Sequence, residues 1–350
     1  MPSPHPSRKR RFFTVLMLGL LVLALAACEW TDLVDGDDDE DDGGSDNTPP
    51  ATETNVPGLS VAVSSSDFDT TLAAITSRTS DRNISTVDHQ ANAQQAGRSL
   101  RPTTTVLFDD PNRSSPLIAA DPRAGLDLPT RVLVYRDSDS DVAAAYTNAA
   151  YLDARYDLDD AEGGALDGLD ADLEALVGDA TGDDPGDGPA SGIGEGEGIE
   201  SVTSDNSFAD TVDALLAAID ARSDRLGSPT TVNQQTRANS VGRMLDPSTL
   251  VLFTVAEEDS ALLRASQTSG VDLPQKMLVS ADSSGAVTVY YNDPSLIAAR
   301  HDIDGRDDDI DALADLLADL ASEAAGSSTA TATPNTPDTD DDTEAGLASP

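Results

Sequence analysis

An internal repeat at an offset of 145 residues constrains this chain more than any other feature. Gly97 to Leu158 aligns without a gap on Gly242 to Ile303, with about 24 identical positions. Gly97-Arg98-x-Leu100-x-Pro102 returns as Gly242-Arg243-x-Leu245-x-Pro247, and Val106-Leu107-Phe108 returns as Val251-Leu252-Phe253. Asp127-Leu128-Pro129 returns as Asp272-Leu273-Pro274, and Arg155 as Arg300. Phe68 pairs with Phe208 upstream, with five extra residues in the second copy between there and the glycine. Whatever the first copy folds into, the second must therefore fold into as well.

Within each copy the apolar spacing mixes two periods. Leu59 to Ser64, Thr104 to Phe108 and Arg131 to Tyr135 are rich in β-formers, and Asp137 to Asp141 reads as a hairpin turn into Val142 to Tyr146. Ser66 is placed to cap a helix that presents Phe68, Leu72 and Ile75 on one face; the second copy carries the stripe Phe208, Val212, Leu215, Leu216 and Ile219. Asp293-Pro294 reads as a helix cap with proline in the first turn. Each copy closes with an amphipathic helix, through Leu166, Leu169, Leu173 and Leu176 or through Ile310, Leu313, Leu317 and Leu320. Strands and helices alternate too irregularly for βαβ units. The expected class is α+β: two homologous small domains in tandem, each a mainly antiparallel sheet with packed helices.

Low-complexity segments set the boundaries. Residues 28–57 read as a self-repelling acidic tether, 178–198 as a Gly/Asp/Pro linker and 327–350 as a Thr/Pro/Asp tail with nothing to bury. The domains are then expected at 58–177 and 199–326. Residues 1–27 read as a signal peptide: Arg8-Lys9-Arg10-Arg11 precedes an apolar stretch from Phe12 to Ala27, shorter than the roughly 20 residues needed to span a bilayer. That stretch ends in Leu25-Ala26-Ala27-Cys28, the arrangement that presents a cysteine for diacylglyceryl transfer, and Cys28 is the chain's one cysteine. Acylated Cys28 would tie the protein to a lipid bilayer on the periplasmic side, and Glu29 in place of an aspartate favours the outer membrane.

The formal net charge is −43, from 21 Lys plus Arg against 64 Asp plus Glu. Nucleic acid is excluded as a partner, since phosphate must be neutralised by basic side chains. Lysine occurs only at Lys9 and Lys276 and aromatics make up 4%, a balance resembling that of salt-adapted proteins.

The order of His89, Gly97, Leu-x-Pro, Val-Leu-Phe, Leu-Pro and a closing Tyr-Thr-Asn or Tyr-Asn-Asp-Pro resembles the bacterial and archaeal family of domain of unknown function 302. The resemblance covers roughly 57–160 and 199–304. It implies a compact α+β domain that self-associates, so the two copies are expected to partner each other, and it brings no established activity. The family's Asp-His pair falls on Asp88-His89, whereas the second copy has Gln234 at that place; Asp110-Pro111 is likewise replaced, by Val255-Ala256.

His89 and Gly97 together form the candidate ligand site, with His89 able in principle to act as a ligand or base. Neither His89 nor His301 belongs to a cluster with metal-ligand spacing, and no recognisable elbow places a nucleophile, so no catalytic residue, metal or cofactor is assigned. Asp302, Asp304, Gly305, Asp308 and Asp311 mimic a calcium loop, but Arg300 stands at its first ligand position and an aspartate at its last. Two functions are compatible with this sequence: a membrane-anchored binding or interaction module of the cell envelope, or a His89-dependent metal-binding or hydrolase-like enzyme.

Overall fold

The computed structural model describes residues 55–158 and 161–326, so Cys28, the signal segment, most of the tether and the tail lie outside the described residues. The first copy runs β1 (Leu59–Ser64), α1 (Phe68–Arg78), β2 (Asn83–Asp88), α2 (His89–Gln95), β3 (Thr103–Phe108), α3 (Pro111–Ala120), a 3-10 turn (Pro122–Leu126), β4 (Thr130–Arg136), β5 (Val142–Thr147), α4 (Ala149–Tyr156) and α5 (Ala165–Thr181). After the two-residue β6 (Gly186–Asp187) the order repeats: β7 (Ile199–Ser204), α6 (Phe208–Asp220), β8 (Thr230–Asn233), α7 (Gln234–Ser240), β9 (Ser248–Phe253), α8 (Ala256–Ala265), a second 3-10 turn (Gln267–Val271), β10 (Gln275–Ala281), β11 (Val287–Asn292), α9 (Pro294–Arg300) and α10 (Asp307–Ala325).

Side-chain chemistry fixes the element ends. The carboxylate of Asp67, one residue beyond the expected Ser66, accepts from the Thr70 amide to start α1, and Asp293 caps α9 with Pro294 in its first turn. Asp137 Oδ1 accepts from the amides of Asp139 and Asp141 at 2.9 Å each, closing the β4–β5 hairpin. Asp282 does the same from Ser284 and Ala286, with Gly285 at φ +87 taking the left-handed position. The segment expected as linker is partly ordered into secondary structure: α5 extends to Thr181, and Gly186–Asp187 pairs with β1.

Each copy forms an antiparallel sheet, in the order β2-β3-β4-β5-β1-β6 and β7-β11-β10-β9-β8. Because successive strand residues face opposite sides, one set covers the helices and the other does not. Val106, Phe108, Val132, Val134, Ala144 and Tyr146 pack under α1, α4 and α5, and Val251, Phe253, Met277, Val279 and Val289 under α6 and α10. The opposite faces carry a second set of buried apolar residues. Leu133, Tyr135, Ala143 and Ala145 close around Val271 of the second copy, while Leu250, Leu252 and Leu278 close around Leu107 and Leu126 of the first. Each 3-10 turn thus lies on the sheet of the other copy. Fully burying one such leucine contributes about 1.5–3 kcal/mol, so this seam is a core in its own right.

Candidate functional site

The seam also buries charge, in a pattern that follows the repeat. Asp127 accepts from Lys276 Nζ at 2.6 Å, from an Arg155 guanidinium nitrogen at 2.8 Å and from the Tyr156 hydroxyl at 2.8 Å. Its counterpart Asp272 takes two contacts of 3.0 Å from Arg300 and one of 2.7 Å from His301 Nε2. The arginines cross between copies: Arg155 donates to the Glu197 carbonyl and to Asn292 Oδ1, Arg300 to the Pro57 carbonyl and to Thr147. Arg300 also lies 3.9 Å from the centroid of Tyr151, a favourable cation–π position.

Burial alone would raise both carboxyls, but the attraction of Lys276, Arg155 and Arg131 holds Asp127 below the usual range, and Arg300 with His301 does the same for Asp272. Both are ionised, so His301 Nε2 carries the proton it donates. Burial, with repulsion from Arg131, lowers Lys276 to about 8 despite its two acidic neighbours, and it remains charged at neutral pH.

His89 sits at the start of α2, 2% exposed. The Thr105 hydroxyl spends its proton on the Gly270 carbonyl of the second copy at 2.8 Å, so His89 Nε2–H donates to Thr105 at 2.9 Å. Burial lowers His89 to about 4 and keeps it neutral. At the equivalent place Gln234 donates to the carbonyls of Gly125 and Leu128 in the first copy, both at 2.9 Å. Histidine and glutamine do the same work here, anchoring the 3-10 turn of the opposite copy, directly for Gln234 and through Thr105 for His89. Gly125 admits that approach, since a Cβ there would lie 2.6 Å from Gln234 Oε1.

The seam has two ends related by the repeat, where α3 meets α7 and where α2 meets α8. At the first end, Arg237 of α7 crosses to ion-pair with the Asp109 carboxylate and reaches the Asp109 carbonyl at 3.3 Å, leaving a void of about 10 Å³ beside the pair, while a separate cleft of about 450 Å³ lies further along α3 and α7, lined by Ile118, Ala119, Gln235 and Asn239. At the second end the repeat puts Asn92 in place of Arg237 and Thr254 in place of Asp109. A cleft of about 940 Å³ remains there, between β2–α2 and the loop Ser223–Ser228 that leads into β8. The extra residues of the second copy fall in this loop, nine residues joining α6 to β8 where four join α1 to β2.

The family of "Domain of unknown function DUF302" matches residues 59–176 and 200–321. The chain belongs to the DUF302 family, as two tandem copies. A crystal structure of an uncharacterized conserved DUF302 protein from Bacillus stearothermophilus is 13% identical, covering 37% of this chain and 98% of that one with a TM-score of 0.34. Proteins named fluoride-specific ion channel FluC 1 from Brucella suis and from Brucella abortus are each 32% identical over 106 residues, 30% of this chain and 41% and 38% of theirs. The chain thus matches about four-tenths of the length of these relatives. No helix among the described residues is long and apolar enough to cross a membrane.

Within the two DUF302 domains the residues expected to form a ligand site stand apart. His89 opens α2 from inside the seam, whereas Gly97 lies exposed beyond its far end at φ +72, where the Gly97 and Arg98 amides close the helix on the Gln94 and Ala93 carbonyls. Among the described residues no three His, Cys, Asp or Glu side chains gather as a metal site requires. Asn92, Thr254 and the Ser223–Ser228 loop line the open cleft. Their signal in the sequence is the paired loss of Arg and Asp at the repeat offset, together with the insertion.

Proposed function

We propose that this chain is a tethered binding module of the cell envelope, acylated at Cys28, whose two DUF302 domains act as one body and take a ligand in the open cleft. The supporting observation is the inequality of two places that the repeat makes equivalent: one is plugged by Arg237 on Asp109, the other stands open at about 940 Å³, within the size range of small-molecule sites. The anchor rests on the Leu25-to-Cys28 motif. Each buried acyl methylene contributes about 0.8 kcal/mol, and two or more chains hold a protein stably, with the domains facing the periplasm from the outer membrane. Cell fractionation tests the tether: wild type is expected in the membrane fraction and Cys28→Ser outside it, and equal recovery in membranes would refute the anchor. Binding is tested by thermal-shift screening of the whole chain beside Asn92→Arg/Thr254→Asp, which recreates the plug. A ligand of the cleft stabilises wild type and leaves the plugged variant unmoved; a screen in which every hit moves both equally refutes the reading.

A further inference from the structure

The repeat also leaves one sheet with an open edge that the other has covered. In the first copy α5 ends on Gly182 at φ +80, the Ser65 amide donates to the Thr181 carbonyl at 3.1 Å, and the chain turns back to lay β6 along β1. Val61 stands opposite Gly186 and Ser60 opposite Asp187, and the Gly188 amide donates to the Leu59 carbonyl at 2.9 Å. The second copy makes the same exit: α10 ends on Gly326 at φ +72, and the Asp205 amide donates to the Ala325 carbonyl at 3.1 Å. Yet β7 has a single neighbour among the described residues, β11, and Ser201 is exposed where its counterpart Val61 is buried. An open edge leaves backbone amides and carbonyls free to take another strand. One side chain marks the missing partner. Across β1 and β6 the Ser60 hydroxyl donates to Asp187 Oδ1 at 2.7 Å. Glu200 replaces Ser60 in β7, and its Oε2 is buried with no hydrogen-bond partner among the described residues; burial and repulsion from Asp293 raise this carboxyl above its ordinary value. A buried acceptor of this kind calls for a donor. Counted from the two helix-ending glycines, Gly186 corresponds to Ala330 and Asp187 to Thr331. Hydroxyl and carboxylate have thus changed places, Ser60 with Asp187 in one copy and Glu200 with Thr331 in the other. Residues 327–333 read Ser-Ser-Thr-Ala-Thr-Ala-Thr, with β-branched residues alternating as suits a strand. From Ala324 to Pro337 the chain carries no charge, whereas a second copy of the protein would bring another −43 to the same edge.

We propose that the β7 edge is the docking site for this chain's own residues 329–333, added antiparallel as β6 is added to β1, with Ala330 opposite Ser201 and the Thr331 hydroxyl donating to Glu200. Hydrogen exchange of the full chain, read over Ile199–Ser204, tests this. Ala330→Pro/Ala332→Pro removes the two amides that correspond to those of Gly186 and Gly188, and Ala345→Pro/Ala348→Pro places two prolines further along as a control. Thr331→Asp sets a second carboxylate against Glu200, whereas Glu200→Ser/Thr331→Asp copies the Ser60 and Asp187 pair. The Ser201 and Thr203 amides should exchange about tenfold or more slowly in wild type than in Ala330→Pro/Ala332→Pro or Thr331→Asp. Glu200→Ser/Thr331→Asp and the control should keep wild-type protection. Equal exchange in wild type and either of the disrupting variants overturns the proposal, as does failure of the swapped pair to restore what Thr331→Asp removes. Protection that survives the prolines at 330 and 332 but falls on dilution assigns the edge to a second copy of the chain and overturns it too.

Discussion

Replacing Asp127 with asparagine keeps the shape of the side chain but removes the charge that Lys276, Arg155 and Tyr156 share. No cavity opens, so the loss is electrostatic. Taking one partner from a buried ion pair typically costs about 3–5 kcal/mol, because the other charge stays buried and uncompensated. Lys276 limits that cost by shedding its proton. In wild type its proton is held to about 8; without Asp127 the favourable attraction falls while burial and Arg131 still oppose the charge, so the folded variant carries a neutral lysine at pH 7. The unfolded chain keeps that lysine protonated up to its ordinary value of 10.5. Between pH 6 and 8 the unfolded variant therefore binds one proton more than the folded one, and variant stability rises with pH by about 1.4 kcal/mol per unit. In wild type the folded state starts to release this proton as pH nears 8, which adds only about 0.4 kcal/mol from pH 6 to pH 8. The difference between the two proteins should shrink by up to about 2.3 kcal/mol from pH 6 to pH 8. Urea unfolding followed by circular dichroism measures it. The double variant Asp127→Asn/Lys276→Met should lose the pH-dependent part. A destabilisation below about 1 kcal/mol, or one constant across pH, would refute a charge-paired Lys276.

Three further outcomes follow from other parts of the seam. His89, held neutral to about 4 against an ordinary 6.5, contributes stability that is complete above pH 6.5 and lost as pH falls towards 4, by about 3 kcal/mol; His89→Gln, which copies Gln234, should fold and lack this acid loss in urea titrations. Gly125→Ala places a Cβ 2.6 Å from Gln234 Oε1 and should lower the unfolding midpoint by the equivalent of about 1–3 kcal/mol, whereas alanine at exposed Gly97, with nothing within 4 Å of its Cβ, should cost only the backbone strain of its positive φ, about 1 kcal/mol. With a formal charge of −43, the melting temperature should climb as salt goes from 0.01 to 1 M and the screening length falls from roughly 30 to 3 Å; a flat response would confine the charge effect to segments outside the folded body.

The β3–β4–β5 meander and the closing helices are legible in the sequence because their apolar residues recur at periods of two or near 3.6, and because Asp137 and Asp282 announce their hairpins. The edge strands β2 and β8 are not. Four of the six residues of Asn83–Asp88 are polar, and a strand with a single neighbour needs little apolar surface. The buried charges are visible only as repeat markers: Asp127 and Arg155 stand 28 residues apart in sequence, and Lys276 meets Asp127 from the other copy. Since period and composition carry no information on such long-range pairing, a conserved spacing within the repeat was the limit of what could be read. The same holds for His89, whose isolation in the sequence hides its link through the Thr105 hydroxyl to the Gly270 carbonyl of the second domain.

Fusion in one chain explains how the two ends of the seam came to differ. In a symmetric pair of identical subunits every residue occurs twice, so an Arg-to-Asn change in α2 would open both clefts together. With both copies on one chain, positions 92 and 237 vary independently, as do 109 and 254. The present residues make opposite choices at the two ends. Arg237 and Asp109 form a crossing ion pair that fills the place between them, while Asn92 and Thr254 leave the equivalent place at the other end open beside the longer loop. Arg237→Asn tests whether the ion pair is what distinguishes them. Removing the guanidinium should unplug the first end and leave Asp109, 5% exposed, without its partner, at a cost towards the upper part of the range for a broken pair, about 3–5 kcal/mol. The result to compare is Arg237→Asn/Asp109→Thr, which reproduces the two side chains of the open end: it should recover most of the lost stability, because the orphaned charge goes with its partner. Equal instability of the single and double variants would mean that Arg237 supports the seam by packing alone, and the ion pair would then explain nothing about why one end is closed.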